Sequence, residues 1–192
     1  MRHVLSATVA CLVASASALA ADAQRPDPQA LLSAERTAML SLGFLDGVWR
    51  GSAWTLLPSG EKHTVVQTER VGPFLEGAVK VVEGRGYDAQ GKLSFNAFGT
   101  ISFVPQTSGY TLHSYAMGFA GDFVFTPAAD GFRWEIPAGP VTLRYTAIVK
   151  NGTWREVGER LTPGQPPVQF FEMNLQRVGD TTWPAAGAIP PK

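Results

Sequence analysis

The chain has 192 residues, 45% of them hydrophobic and 17% charged, and its 16 basic residues are balanced by 16 acidic ones. That is the size and composition of one globular domain with short appendages. Zero formal net charge and the lack of any polybasic run exclude the electrostatic signature of a nucleic-acid partner or of an arm lying on an anionic membrane.

Met1-Arg2-His3 is a short basic start, and residues 4–20 form an apolar, Ala-rich run. The run is too short and too weakly flanked for a membrane span and has the form of a secretory signal peptide. Ala18-Leu19-Ala20 and Ala21-Asp22-Ala23 are both cleavage sites of the small-x-small kind. We take the second, so residues 1–23 are the signal and the mature protein is exported, either to a bacterial periplasm or out of the cell. Cys11, the single cysteine, lies inside the signal. Its removal leaves no thiol for disulfides, nucleophilic catalysis or metal binding. The same cut removes Arg2 and Asp22 together, so the mature chain stays neutral and its solubility rests on interspersed charge.

Residues 24–41 read as a linker and a helix. Arg25-Pro26-Asp27-Pro28 is extended, Asp27 is placed to cap, and Pro28 sits at the first helical position. Leu31, Leu32, Met39 and Leu40 then supply an apolar stripe, and the helix is predicted to end before Gly43. From residue 47 to 178 the pattern changes to about ten short strand-like segments. They are separated by turn signals such as Pro58-Ser59-Gly60, Gly72-Pro73, Asp88-Ala89-Gln90-Gly91, Asn151-Gly152 and Pro163-Gly164, and Gly84-x-Gly86 is read the same way. No crossover helices intervene, so neighbouring strands are predicted to be antiparallel. Leu93, Phe95, Ala97, Gly99, Ile101 and Phe103 form the apolar face of one strand, and Phe171, Met173 and Leu175 that of the last. Residues 179–192, rich in Pro and Ala without any such stripe, are expected to be disordered.

Gly47-Val48-Trp49 opens the first strand directly after a helix, and the last strand ends Leu175-Gln176-Arg177. In these residues the chain resembles the calycin superfamily, the lipocalins and their relatives. The resemblance implies an all-β, antiparallel up-and-down β-barrel of about ten strands with a short N-terminal helix, spanning residues 42–178. It also implies that Arg177 lies over Trp49 and that the pair closes one barrel end, a structural role. Gly86-Tyr87-Asp88, Trp154-x-Glu156-x-Gly158-Glu159 and Phe170-Phe171-Glu172-Met173 are similar to segments of bacterial calycin-like domains without an assigned activity. The Gly-x-Trp-x-Gly start also resembles nitrobindin, a haem-binding barrel whose iron ligand is a histidine on the last strand. Phe170 to Arg177 contains no histidine, so that site does not carry over and no cofactor is expected. Only His63 and His113 remain in the mature chain, too few for a three-histidine zinc site, and no metal is expected.

Candidate chemistry lies on two segments. In residues 110–117, Thr111, His113, Tyr115 and Met117 share one face and Tyr110, Leu112, Ser114 and Ala116 the other, and the pattern leaves open which face is inward. The first would offer a lumen an imidazole, a phenol and a thioether. Asn151-Gly152 suits a two-residue hairpin turn, which pairs Lys150 with Thr153 and therefore Ala147 with Glu156, Arg144 with Glu159 and Leu143 with Arg160. Tyr145, Glu156 and Arg160 then fall on one mainly apolar face. That face is either a ligand-cavity wall or an internal polar network. Arg144 and Glu159 form a surface pair. Glu156 and Glu159 point to opposite faces and cannot flank one bond as a glycosidase pair does. No Gly-x-Ser-x-Gly, phosphate loop or His-Glu-x-x-His occurs.

The sequence therefore predicts an exported, monomeric, non-enzymatic barrel that binds a small apolar or amphipathic molecule. His113, Tyr115, Met117, Tyr145, Glu156 and Arg160 are its lumen candidates, and no nucleic acid or membrane span is involved. Two alternatives stand beside it. One is a filled barrel acting as an interaction module through loops such as residues 116–122. The other is an enzyme using His113 or Glu156 in the lumen.

Overall fold

The computed structural model describes residues 26–185. Residues 1–25, with the expected signal peptide and Cys11, and residues 186–192 of the tail lie outside the described residues. Asp27 caps helix α1 (Pro28–Leu40), its carboxylate accepting a hydrogen bond from the Gln29 amide at 3.0 Å. A single 3₁₀ turn (Gly43–Leu45) leads into the first strand. Ten strands follow: β1 (Gly47–Leu56), β2 (Lys62–Phe74), β3 (Val79–Tyr87), β4 (Leu93–Val104), β5 (Gly109–Ala116), β6 (Phe119–Ala128), β7 (Gly131–Ala138), β8 (Val141–Lys150), β9 (Thr153–Leu161) and β10 (Val168–Gly179). Each pairs antiparallel with the next, and β10 pairs with β1, so the sheet closes on itself. Closure satisfies every strand edge, and alternate side chains of each strand point into one interior.

The two ends of the barrel differ. At one end α1 and the 3₁₀ turn form a plug in which Met39, Leu42, Leu45, Trp49, Val71 and Leu175 are each at most 2% exposed. Burial of such side chains typically contributes about 1.5–3 kcal/mol each. A layer of aromatic rings lies beneath the plug: Trp49 meets Trp154 edge to face at 5.6 Å, Trp154 meets Phe132 at 5.7 Å, and Phe132 stacks on Phe125 at 5.0 Å. The Tyr110 hydroxyl donates to the Ala38 carbonyl at 3.1 Å and ties the helix to the barrel. Met39 supplies the buried contact near the helix end, whereas Leu40, expected in the same stripe, is 79% exposed.

Trp49 and Arg177 are direct neighbours in the β1–β10 register. The Trp49 indole donates to the Leu45 carbonyl at 2.9 Å, and the Arg177 guanidinium donates to the Asp46 carbonyl at 3.1 and 3.3 Å. Both side chains therefore pin the turn that enters β1, and this contact joins the first strand to the last.

Two local expectations are corrected. Gly72-Pro73 and Gly84-x-Gly86 are not turns but lie within β2 and β3. Trp183 folds back on β2, placing its ring 4.3 Å from the Arg70 guanidinium and its carbonyl where a side chain at residue 72 would stand. Among the described residues no helix is long and apolar enough to cross a membrane.

Candidate functional site: a cavity with two buried carboxyls

Above the aromatic layer the barrel interior is a cavity of about 590 Å³, reaching solvent at the end opposite the helix. Its walls are mainly apolar, from residues such as Val65, Phe95, Leu112, Phe123 and Phe171, and His63 and Phe119 stand at the mouth. The volume falls within the range of small-molecule sites.

Two of the six lumen candidates line the cavity, Tyr145 and Glu156. The β8–β9 register is the one the two-residue turn predicts, with Ala147 opposite Glu156, Arg144 opposite Glu159 and Leu143 opposite Arg160. The Glu156 carboxylate accepts from the indoles of Trp134 (3.0 Å) and Trp154 (3.2 Å), one on each oxygen. Tyr145 lies flat on Trp134, with centroids 4.2 Å apart and planes 8° from parallel. These two are cross-strand neighbours on β7 and β8. Arg144 and Glu159 pair on the outside at 2.8 Å.

The other four candidates are elsewhere. Thr100 opposes His113 and Ile101 opposes Leu112. Because β4 turns Ile101 inward, β5 must turn Leu112 and Ser114 inward and His113 outward. His113 accordingly pairs with Asp122 on the outer surface, and Tyr115 and Met117 are more than half exposed. Arg160 is an exposed residue near the open end of β9, so it forms no network with Glu156 and Tyr145.

Sequence reasoning missed Glu69 and Gln67. Both are buried on the inner face of β2 and both line the cavity. The Gln67 amide donates to Glu69 Oε1 at 2.7 Å, and Glu69 Oε2 has no hydrogen-bond partner among the described residues. The signal lay in the glycines read as turn residues. Glu69 stands opposite Gly84 and Gln67 opposite Gly86 in the β2–β3 register. A Cβ at residue 84 would come within 2.6 Å of Glu69 Oε1. The hydrogens of Gly84 and Gly86 are the space into which the two polar side chains of β2 turn.

Among the described residues neither carboxyl has a cationic partner. Lys80, also buried, bonds both oxygens of Asp46 at 2.5 and 2.6 Å and is not part of the cavity wall. Burial drives the Glu69 carboxyl from 4.5 up to about 8, partly opposed by the Gln67 hydrogen bond and reinforced by the Glu156 and Glu83 charges. Burial also raises Glu156, against the lowering effect of its two indole donors. The Tyr145 phenol is raised by burial and by Glu156. The low polarity of the site favours the neutral acids. Among the described residues no three His, Cys, Asp or Glu side chains gather as a metal site.

No protein-family model matches the chain, and no curated protein matches it. Among solved structures it is similar to the crystal structure of Rv2717c from M. tuberculosis, with a TM-score of 0.57 and 15% identity over 73% of this chain and 97% of that one. At this identity the likeness is one of fold, and it supports the barrel.

Proposed function

We propose that the protein is an exported, non-enzymatic barrel of calycin type that carries a small apolar or amphipathic molecule in its lumen. The observation that carries the reading is the cavity of about 590 Å³ that opens at one end of a barrel sealed at the other. A filled barrel acting purely as an interaction module would have no use for that space. An enzyme built on His113 is disfavoured because that side chain is outside, paired with Asp122. The Gly-x-Trp start and the arginine of the last strand, tied to the same turn, support the calycin assignment. The apolar run before residue 24 supports export.

Native mass spectrometry of the protein purified from its own host tests the reading. A molecule of a few hundred daltons that co-purifies and is released on unfolding is the expected result. A protein that is empty and also fails to bind a neutral hydrophobic dye would refute it.

A further inference from the structure

The charge of the cavity wall narrows the ligand, on the premise that the lumen is a carrier site. Among the described residues Glu69 and Glu156 line it, with His63 at the mouth, and no lysine or arginine does. Both carboxyls are more than nine-tenths buried, and one oxygen of Glu69 is without a partner among the described residues. An anionic head such as that of a fatty acid would find no counter-charge there and would face two groups of its own sign on ionisation. A cation finds the reverse. On ionisation Glu69 turns its free oxygen to it, and the stacked Trp134–Tyr145 pair and the ring of Phe171, edge-on to Tyr145 at 5.7 Å, offer aromatic surface. Aromatic faces attract cations most strongly in desolvated sites.

We propose that the lumen selects a cationic amphiphile, an amine or quaternary ammonium with an apolar tail, whose head sits between Glu69 and Glu156 beside the Trp134–Tyr145 stack. A purely apolar ligand would need neither carboxyl, and burying both opposes folding. The glycines at residues 84 and 86 make the room in which β2 holds its polar pair.

A permanent cation must displace a proton from the Glu69 carboxyl, which titrates at about 8. The Glu69 proton therefore makes binding tighten with rising pH, by up to about tenfold per pH unit below 8. The other titratable groups near Glu69 are Glu156 and Tyr145 across the cavity, Glu83 on β3 and His63 at the mouth, while Lys80 is held by Asp46 at the closed end.

Decyltrimethylammonium, decanol and decanoate share one tail and differ in head charge. Each is titrated against the intact protein loaded with the neutral dye N-phenylnaphthylamine, between pH 6 and 9. The expected order is cation, then alcohol, then carboxylate, with the cation at least about a hundredfold tighter than the carboxylate at pH 8. Glu69→Gln and Glu156→Gln should each reduce the cation's affinity about tenfold or more and decanol's by a much smaller factor. Binding of dye and decanol with decanoate equal to or tighter than the cation overturns the cationic inference and leaves the carrier reading intact. Failure of the dye and all three ligands to bind overturns both.

Discussion

Glu69→Gln isolates the energetic consequence of placing a carboxyl inside the barrel. The substitution is isosteric, and the new amide oxygen still accepts the Gln67 hydrogen bond now made at 2.7 Å. In the wild type the folded state holds the Glu69 proton up to about pH 8, whereas an unfolded chain releases it near 4.5. Between those values the native state binds more protons than the unfolded one, so stability falls as pH rises. It is fully present below 4.5, declines through the interval and is flat above 8. At about 1.4 kcal/mol per pH unit, the interval from 4.5 to about 8 amounts to about 5 kcal/mol. That is comparable to the whole stability of a typical domain, about 5–15 kcal/mol. Urea unfolding at pH 5, 6, 7 and 8 reads the effect directly. Wild type should lose about 3–4 kcal/mol more than Glu69→Gln across that range. The glutamine variant should be the more stable protein at pH 8. Parallel stability curves for the two proteins would refute the reasoning, because they would mean that Glu69 ionises in the fold as readily as in the unfolded chain.

Two further substitutions examine how the site is built. Gly84→Ala puts a Cβ 2.6 Å from Glu69 Oε1 and should cost about 1–3 kcal/mol by overpacking. In a double-mutant cycle with Glu69→Ala most of that cost should vanish, whereas additive losses would show that the glycine serves the strand and not the carboxyl. Gly152→Ala places a side chain at φ +72° in the β8–β9 turn and should lower unfolding free energy by about 1–2 kcal/mol. A neutral effect in urea titration would mean that the turn does not constrain the hairpin.

The cavity depends on a pattern of size across neighbouring strands. The inner face of β2 reads Val65, Gln67, Glu69, Val71, and the facing residues of β3 include Gly84 and Gly86. Large polar side chains on one strand are accommodated by missing side chains on the next. Opposite this wall, Glu156 is flanked by Ala147 and Met173 and held by two indoles. Each carboxyl therefore occupies a position prepared for it by its neighbours. Among the described residues neither has a cationic partner, and that gives the lumen its character.

Local sequence determined a good part of this protein. Turn residues spaced along an alternating pattern specify about ten antiparallel strands, Asp27-Pro28 specifies the start of the helix, and Asn151-Gly152 specifies the β8–β9 register. A two-residue loop allows one pairing, so Glu156 and Tyr145 could be placed on one inner face from the sequence. Between β4 and β5 the loop is longer, and both faces of β5 carry apolar residues, so neither turn geometry nor hydrophobic pattern chose between them. Pairing with β4 chose, and it sent His113, Tyr115 and Met117 outward. Glu69 required more still. On β2 it resembles an ordinary solvent-facing acid in an alternating strand, and only closure of the sheet shows its face to be interior. Strand identity and short-turn register are local properties of the chain, but which side of a strand is inside is decided by what the sheet curls around.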